Sequence, residues 1–233
     1  FLVYGLMNYY ACRCLLKLFP LPVIFQILLI LFSLLMIFAP LAIRLLDAHE
    51  SVETERLLAY PAFFWMGFVL LLDSAFLVYG VICFLTHNRL PLSLRYIPLI
   101  YAVAALIYGF FEAGNIRLKM IPLTSKKIME KNQGIKILQI SDLHLGILTN
   151  PSTIRKVIAL IRKVSPDLLI STGDFIDHCR GFDFSLLKEF SDLPVPLGKY
   201  AVPGNHEAYA GFNQAMALTQ MAGFKLLLNE KVV

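Results

Sequence analysis

Asp142 and His144 stand two residues apart in the stretch SDLHLG, directly after an apolar run, ILQI, that stops at Ser141. A second stretch, STGDFID, offers Asp174 and Asp177, and a third, PGNHE, offers Asn205, His206 and Glu207. Carboxylate and amide oxygens mixed with imidazole nitrogens are the donors that suit borderline-hard divalent cations. Each stretch alone is weak evidence, because such residues are more often part of a turn. Asp142 could simply cap a turn while His144 packs beside it. Three stretches in order, all with the same donor chemistry, point instead to a metal-assisted reaction.

The residues between the stretches supply the elements that would bring them together. Short apolar runs at 135–140, 168–171, 199–202 and 225–228 read as strands, the first of them buried. Asn150 followed by Pro151 opens a helix, and Ile154, Val157, Ile158 and Ile161 recur at helical spacing until Pro166 ends it. Shorter helices fit 184–193 and 212–222, the latter closed by Gly223. Alternating strands and helices predict an α/β domain with a largely parallel sheet. Sites in such sheets form beyond the carboxyl ends of the strands. The three stretches follow the first three strands, so this topology delivers Asp142, His144, Asp174, Asn205 and His206 to one edge. Gly173 and Gly204 permit the tight backbone path that aims the next side chain inward.

The ordered set SDLHLG, TGDFID and PGNHE resembles the calcineurin-like metallophosphoesterase family over about residues 135–233. The apolar segments ahead of it are similar to the anchor of a membrane-bound bacterial branch. The resemblance implies an α/β metallophosphoesterase-like domain of layered sheet and helices, of which this stretch is the first half. It implies two divalent ions, with Mn, Fe or Zn favoured, and hydrolysis of a phosphate mono- or diester. Asp142 and His144 would bind the first metal, Asp174 would bridge both, and Asn205 would bind the second. His206 would sit beside the phosphate as an acid or a transition-state stabiliser. A pair of ions about 3.5–4 Å apart polarises the phosphoryl oxygens and stabilises the leaving oxygen. The family's further histidine and its G-H-x-H motif have no counterpart here, since His206 is the last histidine. The chain begins at Phe1 and stops at Val233 just after LLLNEKVV, and reads as truncated at both ends. Residues 1–233 alone are therefore expected to be inactive. Asp177 and Glu207 either orient the ligands through hydrogen bonds or are capped, solvated acids. His178 and Cys179 lack ligand spacing, and His49 and His87 read as polar loop residues.

The chain is 58% hydrophobic and 16% charged, too apolar for an ordinary soluble domain, and the excess lies before about residue 113. Residues 1–113 therefore read as an all-α, multi-pass membrane anchor of three to four helices. The spans are 21–46, 63–85 and 94–111, each near the roughly 20 residues that cross a bilayer, and 1–19 could be what remains of a fourth. Asp73 falls mid-span. A proton path or a polar contact with substrate is one reading of it; an acid hydrogen-bonded to a neighbouring helix is the favoured one. Residues 114–134 form a linker in which IRLKMIPLT could make an edge strand, where Pro122 would be tolerated.

The formal charge of +5 comes largely from basic residues beside the apolar segments and around 117–136. No basic stretch is interleaved with aromatics, which argues against nucleic-acid binding. The four cysteines include a C-x-C at Cys12 and Cys14, and form no zinc-finger or disulfide framework. The expected partners are the lipid bilayer and a phosphorylated substrate, with location favouring a lipid-linked or envelope compound. The rival reading is a non-enzymatic membrane transporter or sensor whose soluble domain binds a metal or nucleotide without turnover. Arg13 and Lys17, and Arg89 with Arg95, mark two short basic loops on one face of the membrane. The loop between them holds Arg44 and Arg56 but also Asp47, Glu50, Glu53 and Glu55. Short basic loops favour the cytoplasm, so in the cell membrane the domain that follows is expected outside it, with the cytoplasmic face as the alternative.

Overall fold

The computed structural model describes residues 1–46, 52–87, 89–124 and 134–232, and the chain divides into two compact units, Phe1–Asn115 and Ile116–Val233. The first unit is helical: α1 (Leu2–Leu18), α2 (Val23–Leu46), α3 (Val52–Leu85), a 3₁₀ turn (Leu92–Tyr96) and α4 (Ile97–Ala113). Three of its segments, Val23–Ile43, Val52–Leu85 and Leu92–Ala113, are long and apolar enough to cross a membrane. Large apolar side chains such as Leu35, Phe38, Val81 and Ile100 stay exposed on them. Lipid would solvate these side chains, whereas water would not.

Helices α1, α2 and α4 all pack on α3. Ala11, Ala59, Ala62 and Ala102 are fully buried. Small side chains at contacts let helix backbones approach closely where lipid supplies no hydrophobic drive. Two polar contacts lie inside, with Trp65 Nε1 donating to Asn8 Oδ1 at 2.7 Å and Cys12 Sγ lying 3.0 Å from Ser33 Oγ. Asp73 departs from the expected pairing: it is buried, yet among the described residues its Oδ1 has no hydrogen-bond partner.

Helix α3 begins well before residue 63, taking Pro61 into its interior and Glu53 and Glu55 into its first turn. Acids there are favoured by the positive end of the helix dipole, so these residues are not loop residues. Arg13 likewise lies inside α1. His49, Asp47 and Glu50 fall outside the described residues.

The second unit runs β1 (Ile137–Ile140), α5 (Pro151–Val164), β2 (Leu168–Ser171), α6 (Ser185–Ser191), β3 (Lys199–Ala201), α7 (Asn205–Tyr209), α8 (Phe212–Met221) and β4 (Lys225–Leu226). All neighbouring strands pair in parallel, in the order β1-β2-β3-β4. Helix α5 starts as its sequence dictates, with Asn150 Oδ1 accepting from Ser152 N at 3.0 Å and Pro151 at the first position. Its Ile154, Val157, Ile158 and Ile161 are buried. They join Ile140, Leu169 and Ala201 from the sheet and Leu186, Phe190 and Ala215 from α6 and α8 in one core.

That core covers one face of the sheet. The cross-strand row on the other face, Gln139–Ile170–Tyr200–Lys225, is exposed or only half-buried. The first strand is thus not buried on both sides: Ile137 is 58% exposed. Residues 116–124 carry no strand, and β1 forms the edge. Ile116, Leu118, Met120, Ile121 and Leu123 are all exposed, so the segment lacks the alternation that would seat it on a ladder.

Candidate metal centre

The loops after β1 and β2 continue the parallel pairing beyond the strands. Asp142 N donates to Gly173 O at 3.2 Å, His144 N to Asp174 O at 3.0 Å and Leu145 N to Phe175 O at 2.9 Å. Leu145 and Ile176 form an isolated parallel bridge, and both are fully buried. These anchors matter because Asp142, His144 and Asp174 all have left-handed backbones, with φ of 55°, 48° and 52°. A non-glycine residue pays a steric cost there and persists only where its surroundings over-determine it. Three such residues, all with metal-ligand side chains, occupy adjacent loops.

The third loop closes against the second. A Cβ on Gly173, whose φ is +111°, would lie 3.0 Å from Gly204 Cα, so the two backbones touch where side chains cannot fit. Asp174 Oδ1 accepts from His206 N at 3.0 Å. Buried Glu207 fixes this junction. Its Oε1 accepts from Phe175 N at 2.6 Å and Ile176 N at 3.0 Å, and its Oε2 from Gly204 N at 2.7 Å and Asp174 N at 3.1 Å. Phe175 is pinned below by Phe190 and Phe224, at ring separations of 5.3 and 5.2 Å.

The outcome is a close group of donors. Ligand atoms of His144, Asp174 and His206 all lie within 4.8 Å of one another, and the two imidazoles cross edge-on at 4.5 Å. Asp177 Oδ1 is 2.5 Å from His206 Nδ1 and 3.8 Å from His144 Nδ1, and Asp142 Oδ1 is 3.9 Å from His144 Nε2. The hydrogen bond that Asp177 accepts from the His206 ring raises the His206 pKa above its ordinary value. With Nδ1 engaged, Nε2 is the ring atom left to bind or to donate. Two imidazoles and a carboxylate, half-exposed and converging, form a donor group that could hold a divalent metal ion.

Of the residues singled out from sequence, His144, Asp174 and His206 form this group. Asp142 flanks it, 64% exposed, and Asn205 is the exposed first residue of α7, one position before His206. Asp177 holds His206, whereas Glu207 holds backbone rather than any ligand side chain. Cys179 Sγ donates to Ala210 O at 3.2 Å. Sequence reasoning did not reach the anchoring by Glu207. Its one signal was an acid three residues after Gly204, the place from which a side chain reaches back to a helix start.

Gly204 carries a direct prediction. A methyl group there would collide with Asp174 Oδ1. Gly204→Ala is expected to weaken Mn²⁺ binding about 10- to 100-fold, the usual range when a ligand loses its orientation. Calorimetric Mn²⁺ titration of the purified protein reads this without reference to activity.

Comparison with known proteins identifies the unit. Residues 135–228 match the calcineurin-like phosphoesterase family. An uncharacterized metallophosphoesterase of Aquifex aeolicus is 35% identical over 126 residues, covering 54% of this chain and 48% of that protein. The UDP-2,3-diacylglucosamine pyrophosphatase LpxG of Chlamydia muridarum is 34% identical over 111 residues, covering 45% and 34%. A transmembrane protein with metallophosphoesterase domain from Danio rerio is 24% identical over 114 residues, covering 48% and 26%. The chain spans about half the length, or less, of the curated relatives it matches. No solved structure matches it. Three apolar helices are thus followed by a metallophosphoesterase domain, whose residues 135–228 match the calcineurin-like phosphoesterase family.

Proposed function

We propose that this is a membrane-bound, metal-dependent phosphoesterase acting on a phosphate ester or pyrophosphate bond of a lipid-linked substrate. The observation that carries the reading is the convergence of His144, Asp174 and His206 from three successive strand ends. Asp142 and His144 would hold one divalent ion, Asp174 would be shared with a second, and Asn205 would complete the second ion's protein ligands. Such ions supply Lewis acidity to phosphoryl oxygens. The protein's own part is positioning and proton transfer. The left-handed turns at Asp142, His144 and Asp174 fix the ligand side chains before substrate arrives, which removes reorganisation from the barrier. His206, held at Nδ1 by Asp177 and with its pKa raised, is suited to deliver a proton from Nε2 to a leaving oxygen. A lipid-linked pyrophosphate is favoured because the chain combines three apolar helices with likeness to a pyrophosphatase named for a diacylated substrate.

Full-length protein purified in detergent is expected to hydrolyse an aryl phosphate ester with Mn²⁺ and to lose that activity in EDTA. Comparing UDP-2,3-diacylglucosamine with its deacylated form tests the lipid preference. Tight metal binding without turnover on any phosphate ester would favour the rival, a sensor or transporter.

The proposed location of the domain is outside the cytoplasm. Arg89 and Arg95 in the short connection before α4 argue for a cytoplasmic start to that helix. Alkaline phosphatase fused after Asn115 is expected to be active, and a green fluorescent protein fused there to stay dark. The reverse pattern would place the site on the cytoplasmic face and turn attention to nucleotide-linked lipid precursors.

A further inference from the structure

Asp73 stands inside α3, about 18 Å before the helix ends at Leu85. It shares one buried stripe of that helix with Val69, Leu72 and Phe76. The stripe packs against Ala11 and Leu18 of α1 and Ala102 of α4, with Tyr10 and Cys14 of α1 seated beside it. Asp73 is only 6% exposed, and among the described residues its Oδ1 has no hydrogen-bond partner. An atom enclosed in this way is out of reach of anything packed on the outer faces of these helices. Asn8, in the same bundle, accepts from Trp65 and donates to Tyr4 O. A polar side chain kept for packing finds such partners, and Asp73 does not.

The neighbouring elements offer it no counter-charge. Residues 23–43 of α2 hold no titratable side chain. From α1, Tyr10 and Cys14 come within electrostatic reach, while Arg13 and Lys17 are exposed. Tyr79 of α3 and Tyr96 before α4 border the same cluster, and Arg95 donates to the Tyr96 hydroxyl at 2.8 Å. None of these groups pairs with Asp73 Oδ1. An unpaired carboxylate in hydrocarbon is far costlier than the neutral acid, and an ionisable group retained there marks an ion or proton route.

The route is written along α1. Tyr10, Cys14 and Lys17 follow one another on one stripe, with Lys17 in the last turn. The row covers about 10 Å of helix, from beside the Asp73 cluster to the helix end. We infer that Asp73 is an intramembrane proton site, holding its proton at rest and exchanging it with water at the carboxyl end of α1 through Tyr10 and Cys14. The proton that Asp73 gives up is taken by that water. The hydroxyl and the thiol on the way each accept one proton while releasing another, so neither changes charge. This inference rests on the helical unit alone and is independent of the proposed reaction.

The test uses infrared spectroscopy of the full chain in lipid nanodiscs. Protein carrying isotope-labelled aspartate is expected to show the carbonyl band of a protonated aspartic acid at neutral pH, and Asp73→Asn to lose it. Transfer into deuterium oxide should shift the band as the carboxyl proton exchanges. In the Tyr10→Phe/Cys14→Ala variant that shift is expected to be about 10²-fold slower, the low end of what a positioned proton-transfer group contributes. Tyr9→Phe, which removes a hydroxyl from the exposed face of α1, should exchange as wild type does. The band and its exchange are read on the native carboxyl, so they stand even if Asp73→Asn does not fold. Absence of the band in the wild-type chain, or equal exchange in wild type and the double variant, would overturn the inference. So would equal slowing in Tyr9→Phe, which would mean that the packing of α1 rather than a relay sets the rate.

Discussion

Replacing Asp174 by Asn in the full-length protein is expected to lower metal-dependent phosphate-ester hydrolysis by about 10³-fold at matched expression. The exchange keeps size and shape but removes the negative charge from the carboxylate whose ligand oxygen converges with both imidazoles. Asp174 also accepts the His206 amide at 3.0 Å, so its charge serves the cation site and the loop that carries His206 together. An amide at this position can still accept that one bond, so the fold should survive while cation affinity does not. Metal content after gel filtration separates the two: the variant should elute as wild type and carry far less Mn²⁺. Asp142→Asn should act similarly. Cys179→Ser, whose hydroxyl can still donate to Ala210 O, should change turnover by less than about twofold. Wild-type turnover in the Asp174 variant would remove the basis for the metal reading.

The sequence made the donor set legible because each donor follows a strand and the strands carry a plain apolar pattern. Helix α5 was equally legible, since Asn150, Pro151 and the spacing of its isoleucines are local signals. What the sequence concealed was non-local. Ile137 reads as a buried residue, yet among the described residues the helices pack against the face of Ile140 and Leu169, a fact of topology rather than of the strand itself. The early start of α3 was hidden by Pro61, which ends a helix in most soluble contexts. In a membrane, neighbouring helices and local adjustment re-satisfy the freed backbone groups, so the helix continues. IRLKMIPLT looked like an edge strand by composition, but exposed side chains in both phases leave no face to seat it. The left-handed turns at Asp142, His144 and Asp174 could not be read from residue type, because the pairing that enforces them joins loops some 30 residues apart.

Glu207→Gln is expected to destabilise the domain by about 3–5 kcal/mol, more than most changes to a ligand would, because it strands buried donors. The carboxylate accepts four backbone N–H groups, two on each oxygen. An ionised carboxylate is acceptor-only on both oxygens, whereas glutamine turns one oxygen into a donor. If the amide oxygen keeps Phe175 N and Ile176 N, its NH₂ group faces Gly204 N and Asp174 N, donor against donor. If it flips, the clash moves to the fully buried pair. Neither orientation satisfies all four. The site should suffer before the rest of the unit does, because these N–H groups belong to the turn that holds Asp174 left-handed and to the loop that presents His206. Hydrogen exchange is expected to speed up at residues 174–176 and 204 while the α5 amides stay protected, and Mn²⁺ affinity should drop in parallel. Glu207→Asp is the discriminating control. It retains both acceptor oxygens on a shorter stem and should restore part of the protection. Equal loss in Asp and Gln variants would mean that packing volume, not acceptor chemistry, is what Glu207 supplies.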